Sequence, residues 1–201
     1  LAVARDEAVC FHYEENLECL RALGCELVFF SPLRETELPG QVAGLYLCGG
    51  YPELHCKTLS DNVTMRRAVA AAVGRGMPTI AECGGFLYLH KTLDGQPMAG
   101  VIDAASYRTD TLSRFGYITL RAQRDNLLCA AGDTIPSHEY HYYESTGCAD
   151  GFVAEKPLSH RTWRCVHAGQ SLYAGFPHLY FDAAPSVARR FVRKVSAYGA
   201  V

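Results

Sequence analysis

Apolar and polar positions divide the chain into two halves with different rhythms. In the first, short runs of consecutive apolar residues alternate with longer amphipathic stretches. Leu1–Ala4, Glu26–Phe30, Gly44–Cys48 and Met77–Ala81 read as strands. Phe11 to Leu23 carries Leu17 and Leu20 at helical spacing, with Cys19 and Leu23 beside them, and stops at Gly24. Leu59 to Arg75 reads as one helix, with Val63, Val69 and Val73 turned inward and Gly74 and Gly76 at its end. A helix-like segment, Phe86 to Leu93, follows the fourth strand. Wholly apolar strands separated by helices predict a mainly parallel open sheet with helices on both faces. In such sheets the sites lie at the carboxyl ends of the strands. Gly49-Gly50 and Cys83 both follow such ends.

The second half alternates instead. Phe115–Ala122, His138–Ser145, Phe152–Glu155, Trp163–Val166 and Leu172–Ala174 are short segments bounded by Gly, Pro, Asp or Ser, and they read as strands, some antiparallel. Ala184 to Tyr198 predicts a terminal helix with Val187, Phe191 and Val195 inward. Arg189, Arg190, Arg193 and Lys194 then form its solvated side. No repeat, low-complexity tract or linker interrupts the pattern, so one α/β domain over residues 1–201 is the simplest account.

Composition narrows the field. The 201 residues are enough for one substantial core, and 49 % are apolar with no stretch suited to span a bilayer. A net charge of −2 gives no reason to expect nucleic acid or an anionic membrane as partner. The nine cysteines form no C-x-x-C, and the residues suggest no metal site. Their odd number and the lack of a secretion signal point to a reducing, cytoplasmic setting with most thiols as small core residues. The chain opens on Leu1, inside what reads as a strand, which suggests a piece of a longer polypeptide.

The candidate chemistry centres on Ala81-Glu82-Cys83-Gly84-Gly85. A buried strand that turns sharply into a helix can hold a nucleophile at the tip of the turn. Glycines after it permit the tight geometry and leave room for substrate. The helix N-terminus behind the thiol favours the reactive thiolate. The plainer alternative is a buried cysteine at a strand end. A cysteine nucleophile needs a base, and histidine is the usual partner. His12, His55 and His90 fall on expected surface positions, and His160 and His167 in weakly patterned segments. His138 and His141 lie three apart, on opposite faces of a strand, so they cannot chelate one metal. His178 follows an apolar strand and stands at an element end, a suitable position for a base. Gly49-Gly50-Tyr51-Pro52-Glu53 could aim backbone N–H groups at an oxyanion, or could be an ordinary turn that Pro52 closes. Neither a P-loop nor a G-x-G-x-x-G occurs.

Four segments taken in order, Gly-Gly-Tyr-Pro-Glu-Leu at 49–54, Ala-Glu-Cys-Gly-Gly at 81–85, His-Glu-Tyr-His-Tyr at 138–142 and His-Leu-Tyr-Phe at 178–181, resemble the glutaminase half of the cobyrinate a,c-diamide synthases. The opening Val3–Ala8 and Phe29–Leu33 also resemble the start of that half, so the likeness spans the chain. The resemblance implies a flavodoxin-like class I glutamine amidotransferase fold. It further implies hydrolysis of L-glutamine to glutamate and ammonia. The ammonia would pass to an N-terminal synthetase domain that uses ATP and Mg2+ to activate the a and c carboxylates of a tetrapyrrole. No cofactor is then expected in this chain, and the tetrapyrrole would be bound mainly by the other domain. Relatives of this kind act on cobyrinate, hydrogenobyrinate or nickel-sirohydrochlorin.

Carried over by motif, Cys83 matches the nucleophile and His178 its histidine. Gly50 and Gly84 match the oxyanion positions, with His138 and Glu139 in support. Two departures stand out. Tyr180 occupies the place where many glutaminases have an orienting glutamate two residues after the histidine, so what orients His178 is left open. Cys48 replaces a customary proline before Gly-Gly. A non-catalytic, glutaminase-like interaction module is the alternative that Tyr180 would favour.

Overall fold

A computed structural model of the protein describes residues 1–200. The first half follows the apolar runs. Strands β1 (Ala2–Ala4), β2 (Val28–Phe30), β3 (Leu45–Leu47) and β4 (Thr79–Glu82) are joined by helices α1 (Glu14–Ala22), α2 (Cys56–Asp61) and α3 (Val63–Gly74). The single helix expected over Leu59–Arg75 is thus two. Asn62 separates them with φ −78° and ψ 66°, and its side chain accepts the Met65 N–H to cap the second.

After β4 comes α4 (Gly84–Leu89), and the chain then turns extended at β5 (His90–Leu93) rather than staying helical to Leu93. His90 explains the change. It is fully buried rather than on the surface, with Nδ1 2.9 Å from the Phe86 carbonyl oxygen and Nε2 2.7 Å from Ser145 Oγ. These bonds fix the end of the helix and tie it to a later strand.

The remaining strands are β6 (Gln96–Pro97), β7 (Ile102–Arg108), β8 (Arg114–Ala122), β9 (Thr134–His141), β10 (Tyr143–Ser145), β11 (Phe152–Glu155), β12 (Thr162–Cys165), β13 (His167–Ala168), β14 (Leu172–Gly175) and β15 (His178–Leu179), before the terminal helix α5 (Pro185–Gly199). Among the described residues they make three sheets. The six-stranded sheet runs β2-β1-β3-β4-β14-β13 and is parallel except at β13. That order, with β14 as fifth parallel strand, is the flavodoxin-like one. The five-stranded sheet, β12-β11-β8-β9-β15, is wholly antiparallel. The four-stranded sheet, β10-β7-β5-β6, was not anticipated from the sequence, since Ile102–Arg108 carries few strong strand formers.

Helices α1 and α5 pack together, and α4 lies against β3, β4 and β14. Val187, Phe191 and Val195 of α5 are buried as the pattern predicts. No helix among the described residues is long and apolar enough to cross a membrane.

Candidate functional site

The site forms where the parallel sheet ends. Cys83 leaves β4 with φ 44° and ψ −102°, a left-handed backbone unusual for a side-chain-bearing residue. Its N–H donates to the Gly175 carbonyl at 2.8 Å, which anchors the turn to β14. The two following glycines are required by close approach. A Cβ on Gly84 would lie 2.7 Å from Gly50 N, and one on Gly85 would lie 2.1 Å from the Leu47 carbonyl oxygen. This is the strand–turn–helix arrangement expected for the cysteine. Cys83 is a free, half-buried thiol rather than a core residue.

The loop after β3 is held beside it. Tyr51 N–H donates to the Ala8 carbonyl at 3.0 Å, and Phe11 N–H donates to the Gly49 carbonyl at 3.0 Å. Between these bonds the Gly50 N–H is committed to no turn or loop bond, and neither is the Gly84 N–H at the first position of α4. The two glycine backbones are therefore adjacent, with two free donors beside Cys83.

His178 comes from the other sheet. It opens β15, pairs with His138 across the β9 ladder, and is only 5 % exposed. Its ring meets Phe11 edge-on at 5.1 Å and His138 at 5.0 Å. Gly49 makes room for it, because a Cβ there would lie 2.6 Å from His178 Cε1. Cys83 and His178 line one cavity of about 470 Å3, with Phe11, Tyr51, Tyr117 and Tyr140 around them.

A carboxylate from elsewhere in the chain faces His178 where position 180 offers none. Glu82, next to the cysteine, is almost wholly buried and places Oε2 3.7 Å from His178 Nδ1. Its Oε1 accepts the Leu179 N–H at 3.2 Å, so the same carboxylate holds the histidine's backbone. Burial by itself lowers the His178 imidazole. The neighbouring Cys83 and Glu82 outweigh it and hold the group up to about 10. Asn16 completes the support: its amide donates to the Leu179 carbonyl at 2.8 Å and accepts the Phe181 N–H at 2.8 Å. Sequence reasoning missed Glu82 and Asn16. Glu82 was visible inside the cysteine motif, but Asn16 carried no signal at all.

His138 and Glu139 lie on opposite faces of β9, as a strand requires. β9 is an inner strand, between β8 and β15, with one buried and one exposed face. His138 is half-buried, with Nε2 2.6 Å from the Tyr13 hydroxyl, and burial lowers its imidazole. Glu139 is buried, and burial pushes its carboxyl up to about 7. Tyr180 lies in contact with Tyr13, its ring 5.3 Å away. Cys48 is fully buried, and burial pushes its thiol well up, away from reactivity. No group of three or more metal-ligating side chains occurs among the described residues.

The fold and this site define a class, the glutamine amidotransferases. A crystal structure described as a glutamine amidotransferase superposes with a TM-score of 0.66 over 97 % of this chain and 98 % of its own, at 20 % identity. The PurLQS structure from Thermotoga maritima matches equally well, with TM-score 0.66 over 98 % and 97 %, at 12 % identity. Likenesses at such identities establish the fold. Within the class, the chain belongs to the CobB/CobQ-like glutamine amidotransferase domain family, whose profile matches residues 1–185.

Curated relatives agree. The cobyrinate a,c-diamide synthase of Caldanaerobacter subterraneus subsp. tengcongensis is 37 % identical over 206 residues, covering 99 % of this chain and 46 % of that protein. The hydrogenobyrinate a,c-diamide synthase of Streptomyces coelicolor is 39 % identical over 197 residues, covering 96 % and 40 %. The chain spans less than half the length of these relatives, which implies a separate synthetase part in them.

Proposed function

We propose that this chain is the glutaminase half of an a,c-diamide synthase and supplies ammonia for an ATP-dependent amidation. The observation that carries the reading is Cys83, held on a left-handed turn in one cavity with His178, whose imidazole Glu82 backs. Cys83 Sγ attacks the side-chain amide carbon of glutamine. The tetrahedral oxyanion forms against the Gly50 and Gly84 N–H groups, each worth about 3 kcal/mol in such a role. His178 carries the thiol proton to the departing nitrogen, so ammonia leaves and a γ-glutamyl thioester remains. Water then attacks the thioester, giving glutamate and the free thiol.

The ammonia acceptor would be a carboxylate of cobyrinate, or of hydrogenobyrinate or nickel-sirohydrochlorin, activated with ATP and Mg2+ on the synthetase half. The rim of the cavity supports a covering partner. Phe115, Tyr117, Tyr140 and Tyr51 are all exposed around its mouth, an apolar patch that a second domain would bury. The alternative of a non-catalytic module rested on the missing acid after His178, and Glu82 removes that support.

Reaction with a chloroketone analogue of glutamine, followed by peptide mapping, tests the assignment. Stoichiometric label on Cys83 is expected. Label on any of the other eight cysteines, or none on Cys83, would refute it.

A further inference from the structure

Behind the turn that carries Cys83 lies a second, smaller cavity of about 130 Å3. That is room for roughly four to six heavy atoms. The half-exposed Glu144 and Ala149 and the exposed Arg164 are among its walls, so it opens to solvent. The inner face of the antiparallel sheet contributes Arg114, Glu139, His141 and Trp163. Gly175, whose carbonyl anchors the Cys83 N–H, also lines it, so an occupant lies one backbone bond from the Cys83 turn.

Charges of both signs face this space unpaired. On the β8–β9 ladder Arg114 stands opposite His141 and Glu139 opposite Gly116, so Arg114 and Glu139 are diagonal neighbours. Opposite charges so placed commonly meet. Here they do not. The Arg114 guanidinium donates to the Ser113 carbonyl at 3.0 Å and stacks over Trp163 at 4.9 Å. Among the described residues no ion pair includes Arg114 or Glu139. Glu139 Oε2 and His141 Nε2 are both buried without a hydrogen-bond partner, on residues that are 2 % and 6 % exposed. His141 Nδ1 lies 2.7 Å from the Tyr143 carbonyl oxygen, which can only accept, so Nδ1 carries the proton. Burial holds the ring down to about 4, hence neutral, and leaves Nε2 a bare lone pair. Burial pushes Glu139 up and His141 down, and the charge of Arg114 draws both down, so the three share one space. An anion alone would face Glu139, and a cation alone would face Arg114. A guest that carries both signs a few atoms apart satisfies both walls.

We infer that this chamber binds the zwitterionic end of a free α-amino acid, its carboxylate on Arg114 and its ammonium on Glu139 and His141. The planar guanidinium fork suits a carboxylate. The ammonium brings three donors for the two unmet acceptors. The α-carbon with its two charged groups fills the space, and a side chain longer than that of alanine extends toward the mouth. The site is separate from the Cys83 cavity, which Arg114 does not line. It stands on Arg114, Glu139 and His141 and does not depend on the glutaminase reading. Under that reading, L-glutamine and L-glutamate are the amino acids at hand.

Calorimetric titration of the full-length protein, this chain with its synthetase half, tests the site. Cys83 is first blocked with the chloroketone, so that the larger cavity is filled. The probe is glycine, at about pH 8, above the value of about 7 to which burial raises Glu139. Saturable binding of one glycine is expected. Arg114→Met and Glu139→Gln should each weaken it at least about tenfold. N-acetylglycine, which lacks the ammonium, and glycinamide, which lacks the carboxylate, should bind at least about tenfold more weakly than glycine. L-glutamine and L-glutamate, titrated alongside, identify the source: whichever binds with the same dependence on Arg114 is the resident amino acid. No saturable binding of glycine overturns the site, and so does binding that a folded Arg114→Met leaves within about twofold. N-acetylglycine binding as tightly as glycine overturns it too, since an anion alone would then suffice. Thermal unfolding checks each variant, and if Arg114→Met does not fold, the comparison of the three glycine compounds on wild type decides. A protein that takes no label on Cys83 but binds glycine in this way loses the glutaminase reading and keeps the site.

Discussion

The parallel sheet that presents Cys83 and the antiparallel sheet that presents His138 are buried in opposite ways. β3 and β4 are buried at every position. β9 alternates, with Ile135, Ser137, Glu139 and His141 buried and Thr134, Pro136 and Tyr140 exposed. The difference has a functional consequence. A strand packed on both faces cannot shift, so it can hold a residue in a costly conformation such as the φ of 44° at Cys83. A strand with two unlike faces can instead serve two spaces, as Glu139 does by lining both the Cys83 cavity and the smaller one behind the Cys83 turn. His178 stands at the junction. The chain leaves the parallel sheet at Gly175 and joins the antiparallel one at His178, after only Phe176 and Pro177. Cys83 and His178 therefore report on different sheets, and their alignment measures how well the two are docked.

The sharpest way to separate the sheets is through their glycines. Gly85→Ala places a Cβ 2.1 Å from the Leu47 backbone oxygen, which cannot move aside. Denaturant unfolding should show a loss of at least about 4 kcal/mol, or no folded protein. Gly116→Ala, in β8, meets nothing nearer than the end of Lys156 at 3.5 Å and carries only the strain of φ 94°, for an expected cost of about 1–2 kcal/mol. Equal losses at the two positions would end the claim that the parallel sheet is the rigid partner.

The histidines give the next largest contrast. His178→Ala should reduce glutamine hydrolysis by about a thousandfold or more and slow chloroketone labelling of Cys83. His138→Ala should weaken glutamine-dependent amidation by roughly tenfold and leave labelling intact, because His138 lines the Cys83 cavity but bonds to Tyr13 and not to Cys83. If His138→Ala abolishes labelling while His178→Ala does not, the two roles are exchanged.

An effect no larger than that of His138→Ala belongs to Glu82→Gln. The contact to His178 is 3.7 Å, longer than a good hydrogen bond, so a loss of about tenfold in glutaminase rate is expected. The pH dependence is the more telling readout. His178 holds its proton up to about 10 because Cys83 and Glu82 overcome the opposing effect of burial. Removing the carboxylate charge lets burial count for more, so the imidazole should titrate at lower pH. Following the ring nitrogens by NMR across pH 5 to 11 checks the direction. An unmoved or raised midpoint would show that Glu82 holds the Leu179 backbone and nothing more.

Much of this was legible in the chain itself, and the reasons differ by residue. The buried strand before Cys83, the paired glycines after it and the inward face of α5 are local patterns whose meaning does not depend on distant neighbours. The extended segment from His90 onward was hidden, because Phe86–Leu93 reads as helix until His90 is seen bonding to Ser145, 55 residues away. The β7 strand was hidden because partners on both sides, β5 and β10, supply what its own residues do not.

The sequence by itself determined the α/β class, the sharp turn that carries Cys83 and the histidine that shares its cavity. Each follows from short-range periodicity, glycine sterics or motif. Tertiary structure alone decided that Glu82 backs a histidine 96 positions further along, that Asn16 pins the segment after it, and that Glu139 stands between two cavities. These are relations across two sheets. Side-chain direction on a strand is set every second residue, but what each side chain meets is set by which strands are laid beside it, and that choice is made by the packing of the whole core.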